Sequence, residues 1–163
     1  MRANHTTLSA SIPGLTRFRR YLEAAPGPHF YASLLGLQTF DWPHLARAVE
    51  RGFPFEAFEQ LRDNSGLSVE DLLTWLQLSP RTLARRKQQH RFSTEESDRL
   101  LRAARVLGRA LELFDGDREG ALEWLTTPQR ALGSELPIDV ARTDLGAREV
   151  ENLIGRVEHG VYS

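Results

Sequence analysis

The chain of 163 residues contains no cysteine. That removes a disulfide framework, thiolate metal sites and a cysteine nucleophile, and it fits a reducing, cytoplasmic setting. No apolar run approaches the roughly 20 residues needed to span a bilayer. The N-terminus carries Arg2 but lacks the continuous apolar segment of a secretory signal, so the Asn4-His5-Thr6 triplet is not expected to carry a glycan. The five histidines, His5, His29, His44, His90 and His159, include no pair with metal-ligand spacing on a shared helix face. A Gly-rich phosphate loop, an HExxH motif and a nucleophile elbow are all missing. Asp115-Gly116-Asp117 begins like a calcium loop, but Glu119 stands fifth and Thr126 stands twelfth, where a bidentate Glu is required. Asp139, Asp144, Glu149, Glu151 and Glu158 read as helix caps and solvated faces rather than as a catalytic carboxylate pair. No catalytic residue, metal or cofactor is therefore expected, and the chain does not read as an enzyme.

Strand-like alternation and fixed-period repeats are also missing, so what remains is helical periodicity and an all-α fold. The length suits one medium domain or two small ones. The formal net charge of −1 hides a division along the chain. Residues 1–78 sum to −1, residues 79–109 to +6 and residues 110–163 to −6. A concentrated basic patch attracts phosphate over a Debye length of about 10 Å whatever a remote acidic lobe does, so the segregation points to two surfaces with different partners.

The basic segment opens with the most informative stretch. Ser79 caps a helix with Pro80 at its first position, and Arg81, Arg85, Arg86 and Lys87 crowd two turns in which Leu83, backed by Ala84, is the main apolar anchor. Just upstream, Ser68 caps a helix in which Leu72, Leu73 and Leu76 form a packing face and Asp71 stands at the capping-box position. Gln77-Leu78 is the turn between them, with Gln77 where Gly is commoner. Two short helices, a tight turn and a basic second helix make a candidate helix-turn-helix, in which Ser79, Arg81, Thr82, Arg85, Arg86 and Lys87 would meet DNA. The alternative is a solvated basic helix.

Around this pair the chain divides into a mobile segment 1–25, a helical domain 26–114 and a smaller helical domain 115–163. Residues 1–25 hold Arg17, Arg19 and Arg20 beside Phe18 and Tyr21 and are expected to be frayed, with a DNA-phosphate arm as the alternative. Short helices are expected from Phe30 to Leu37, after Asp41 up to Gly52, and from Pro54 to about Asp63. Ser93-Thr94-Glu95-Glu96 opens the longest helix, with Leu100, Ala104, Leu107, Ala110 or Leu111, and Phe114 as its buried stripe and Arg99, Arg102, Arg105 and Arg109 on its other faces. Asp117 caps a helix to Leu125. Thr127-Pro128 and Leu136-Pro137 start two more, and Val150, Leu153, Ile154 and Val157 mark the last, which Gly160 ends.

Residues 67–114 resemble the Xre-like half of the Xre/MbcA/ParS antitoxins, above all in 79–87, in Arg91-Phe92-Ser93 and in 96–102. The last third resembles that family's toxin-binding domain, in 121–125 with Pro128, in Ala131-Leu132-Gly133 with 136–139, in Gly146-Ala147 with Glu149-Val150, and in 156–162. Together these cover the chain from about Phe30 to its end. The resemblance implies an antitoxin of a type II pair whose partner is a RES-domain toxin that consumes NAD, and which represses its own operon. It places Arg156, Glu158, His159, Gly160, Val161 and Tyr162 at the toxin's active-site cleft, with Asn152 and Ser163 completing the toxin-binding set. Independently of the resemblance, a short tail leaving a helix at Gly and ending near an amphipathic Tyr suits insertion into a concave site. Paired half-sites call for a homodimer on operator DNA. The competing reading is a stand-alone regulator whose C-terminal third dimerises.

Overall fold

A computed structural model of the protein describes residues 13–24 and 27–160. Among the described residues every regular element is helical, and β-pairing is limited to two isolated bridges, Pro54 with Arg91 and Gln129 with Glu135. In order the helices are α1 (Pro13–Ala24), α2 (Trp42–Arg51), α3 (Glu56–Ser65), α4 (Val69–Leu76), α5 (Pro80–Gln89), α6 (Thr94–Leu113), α7 (Arg118–Leu125), α8 (Pro137–Val140) and α9 (Asp144–Glu158). Two 3-10 turns, Phe30–Leu35 and Arg130–Leu132, complete the set.

Helix α6 is the axle. Ser93 accepts from the Glu96 N–H while the Glu96 carboxylate accepts from the Ser93 N–H, so the capping box read from sequence closes in both directions. Leu100, Ala104, Val106, Leu107, Ala110 and Leu111 are buried on more than one side of it. The 3-10 turn Phe30–Leu35 lies so close to α6 that a Cβ on Gly108 would stand 2.8 Å from the Tyr31 Cβ. Small residues at Ala103, Ala104 and Gly108 are what permit that approach. Phe55, Phe58 and Phe92 stack in the same core, with the Phe55 and Phe92 rings 5.7 Å apart.

Two expectations need correction. Residues 13–24 are not a frayed arm: they form α1, whose Leu15 and Phe18 enter the core, Phe18 with its ring 5.2 Å from that of Phe30. The spacing of Leu15, Phe18 and Leu22 is that of a helix face, and burial of a Phe offsets the ordering cost of the segment. Arg19, expected among the free basic residues there, donates to the Gly116 carbonyl at 2.8 and 3.2 Å. The boundary near residue 115 is likewise no break in the core. Ala121, Leu125, Ile138, Ala147, Val150 and Ile154 belong to the same apolar cluster as Leu100 and Leu107.

Candidate functional site

Helices α4 and α5 form the tight pair expected from the sequence. The Ser68 hydroxyl accepts from the Asp71 N–H at 3.0 Å and donates to the Asp71 carboxylate at 2.7 Å. Leu72, Leu73, Trp75 and Leu76 are buried, so α4 braces the pair from inside. Gln77 ends α4 in the left-handed region at φ 53°. The Leu78 N–H then reaches back to the Leu73 carbonyl at 2.9 Å, the closing bond of a Schellman turn with buried Leu78 as its apolar contact.

Helix α5 begins as expected. The Ser79 hydroxyl accepts from the Thr82 N–H and donates to the Thr82 hydroxyl, both at 3.0 Å, and Pro80 occupies the first turn. No side chain of α5 is buried, and Leu83 is a half-buried anchor against the core. Arg81, Arg85 and Lys87 are exposed, and among the described residues none of the three forms an ion pair or side-chain hydrogen bond. Arg81 and Arg85 stand four residues apart, one above the other at the N-terminal half, the geometry that presents cations to a phosphate backbone.

Arg86, by contrast, is paired. Its Nε and one terminal nitrogen donate to the two Glu96 oxygens at 2.6 and 2.9 Å, and its third nitrogen donates to Gln89 at 2.7 Å. With side chains only 18% and 10% exposed, the pair is largely withdrawn from solvent. Burial works to raise the Glu96 carboxyl, but the Arg86 guanidinium and the Ser93 N–H outweigh it and hold the group below the ordinary glutamate value.

The arginines of α6 are all paired with carboxylates. Arg99 pairs with Glu95 at 2.5 Å and donates to the Gln77 carbonyl, and Arg102 pairs with Asp98 and donates to the Arg142 carbonyl. Arg105 pairs with Glu151 and lies 3.7 Å from Asp144, while Arg109 pairs with Glu112 at 2.5 Å and Glu158 at 3.0 Å. For Arg105, burial lowers the pKa but the bond and charge of Glu151 outweigh it and raise it. Two of the cations of the basic segment, Arg105 and Arg109, are thus paired inside the molecule with acids of α9.

Helix α9 is capped by Thr143, which accepts from the Gly146 N–H at 3.0 Å, and it seats Val150, Leu153 and Ile154 in the core. Its outward stripe runs through Leu145, which is 75% exposed, then Arg148, Asn152 and the half-buried Arg156. His159 ends the helix, and Gly160 turns away at φ 67°. Of the expected toxin-binding residues, Asn152, Arg156, His159 and Gly160 share this outer end, whereas Glu158 is turned onto Arg109. Val161, Tyr162 and Ser163 lie outside the described residues. Leu145 and Arg148 were not singled out from sequence, although an apolar residue on the polar side of α9 is a readable signal.

Comparison with known proteins agrees with this layout. Residues 44–105 match the family described as "Antitoxin Xre-like helix-turn-helix domain". Residues 109–160 match the "Antitoxin Xre/MbcA/ParS C-terminal toxin-binding domain". Two curated relatives, each named "Antitoxin Xre", come from Photorhabdus laumondii subsp. laumondii and Yersinia enterocolitica serotype O:8. They are 34% and 35% identical over 130 residues, covering 79% of this chain and 88% of each relative.

Proposed function

The chain belongs to the Xre antitoxins, a family that joins a helix-turn-helix to a toxin-binding domain, and from that premise we propose that it neutralises a RES-domain toxin that consumes NAD. Neutralisation works by occlusion, with the end of α9 and the residues after it entering the toxin's active-site cleft. The chain itself contributes no catalysis. Through α5 it also represses its own operon, as a homodimer that sets two recognition helices on paired half-sites.

One observation carries this reading. Arg86 ties α5 to Glu96 at the start of α6, and Glu158 ties the end of α9 to Arg109 near its other end. Thirteen residues of helix separate the two anchors, about 20 Å at 1.5 Å per residue. The α5 cations and the end of α9 are therefore anchored at opposite ends of one helix, which supports separate surfaces for DNA and toxin.

The test is co-expression of the chain with a RES-domain toxin from the same organism, following growth and cellular NAD. Truncation after Arg148 is unsuitable because it would strip Val150, Leu153 and Ile154 from the core. Removal of Val161-Tyr162-Ser163 together with Arg156→Ala and Asn152→Ala keeps every residue of the described core. Occlusion expects lost rescue and falling NAD with the helical circular-dichroism signal intact. Full rescue by that variant would refute it.

A further inference from the structure

Helix α5 carries three cations unpaired among the described residues, Arg81, Arg85 and Lys87, yet it buries no side chain of its own. Its orientation must therefore be set by a few contacts. At its start the Schellman turn places Leu78, and at its end the His90 carbonyl accepts from the Phe55 N–H at 3.1 Å. Between them stand half-buried Leu83 and the fork of Arg86 on Glu96. A lone aliphatic contact lets a helix roll about its axis. A planar guanidinium held by two parallel bonds does not.

Glu96 is a firm anchor. Its carboxylate also accepts from the Ser93 N–H at 2.8 Å, so it is part of the cap that fixes the first turn of α6. Each of the three nitrogens of the Arg86 guanidinium makes a bond, two to Glu96 and one to Gln89, and its charge is paired with the Glu96 carboxylate. We infer that Arg86 is a positioning residue for DNA binding: clamped on Glu96, it fixes the roll of α5 so that Arg81 and Arg85 face the duplex. This rests on the reading of α5 as the DNA-contacting helix.

The two roles for Arg86 make opposite predictions for its partner. If Arg86 were a phosphate contact, Glu96→Gln would remove a competing negative charge and tighten binding. If it positions α5, the same change weakens binding although the chain becomes more positive. Arg86→Lys separates the roles again, because lysine neutralises phosphate well but cannot bridge both oxygens of a carboxylate.

The experiment uses the full chain and a labelled duplex covering the DNA upstream of its own coding region. Affinity is measured over a salt series by fluorescence anisotropy, with helical circular dichroism confirming that each variant is folded. Glu96→Gln, Arg86→Lys and the double variant should each weaken binding by about tenfold, the double no more than either single. The slope of log affinity against log salt should stay at the wild-type value. Tighter binding by Glu96→Gln, or wild-type affinity for Arg86→Lys, would overturn the proposal. So would a slope reduced by about 0.9 in Arg86→Ala, the signature of one lost phosphate contact. Arg81→Ala tests the underlying reading separately. Unchanged affinity and slope there, or no wild-type binding to the duplex, would remove α5 as the DNA helix and the positioning role with it.

Discussion

The distribution of ion pairs predicts how DNA binding should respond to salt. Nine lysines and arginines lie between residues 79 and 109. Arg86, Arg99, Arg102, Arg105 and Arg109 are paired with carboxylates, and Arg91 donates to the Gly52 carbonyl at 2.5 Å. Among the described residues of this segment that leaves Arg81, Arg85 and Lys87, all on α5. Each phosphate neutralised contributes about −0.9 to the slope of log affinity against log salt. Three contacts per copy give a slope of about −2.7, or about −5.4 for two copies on paired half-sites. Arg81→Ala with Arg85→Ala should remove about 1.8 per copy. Between 50 and 200 mM salt that is roughly a twelvefold smaller loss of affinity per copy. Arg102→Ala is the control, since its guanidinium is occupied by Asp98 and the Arg142 carbonyl. Anisotropy titrations of a short duplex at several salt concentrations measure all three proteins. A slope reduced as much by Arg102→Ala as by Arg81→Ala would refute the assignment and restore the view that the whole 79–109 segment acts as one basic surface.

Two predictions concern stability. Gly108→Ala would place a Cβ 2.8 Å from the Tyr31 Cβ, whereas Gly155→Ala in α9 meets nothing within 4 Å. The first should cost about 1–3 kcal/mol by overpacking and lower Tm by several degrees, and the second should gain about 0.5–1 kcal/mol from helix propensity. Differential scanning calorimetry of the pair decides it, and equal shifts would show that the 3-10 turn does not press on α6 as described. The Glu96 carboxyl is held below its ordinary value, so its contribution is fully present above the unfolded pKa of about 4.3 and is lost as pH falls through the lower folded value. Glu96→Gln should therefore flatten the acid limb of the stability curve below about pH 4.3 relative to the wild type. An unchanged acid limb in urea titrations at several pH values would contradict the role given to Arg86.

The caps were the most legible features of the chain. Ser68, Ser79, Ser93 and Asp117 each bond a backbone N–H in the way their positions require, because a cap is decided within four residues. The apolar stripe of α6 and the core of α9 were legible for the same local reason. Helix α1 was missed although Leu15, Phe18 and Leu22 show its face, since basic and hydroxyl residues around them outweighed three apolar positions. The fate of the arginines divides by distance. Glu95 with Arg99 and Asp98 with Arg102 are four-residue pairs that a helix brings together, and the sequence carries them openly. The Glu151 partner of Arg105 and the Glu158 partner of Arg109 lie 46 and 49 residues away on α9, and only packing decides that those faces meet. The same limit hid the pairing of Arg86, because its carboxylate sits on a different helix.

The contact between α6 and α9 shows why the two matched parts of the chain are not two folding units. Its ion pairs are half-exposed, and pairs of that kind stabilise by about 0–1 kcal/mol each. The apolar seam is stronger: Leu107, Leu111, Val150 and Ile154 are fully buried in one cluster, each contributing about 1.5–3 kcal/mol. Adhesion therefore comes from the apolar side chains. The charges fix which turn of α6 each turn of α9 faces, because Glu151 reaches Arg105 and Glu158 reaches Arg109 in only one register. The matches end at residue 105 and resume at residue 109, inside α6. A cut between them would split the helix against which both parts are buried and expose Leu107 and Leu111 on one side and Val150 and Ile154 on the other. DNA-facing and toxin-facing roles divide along the chain, but the core that supports them does not.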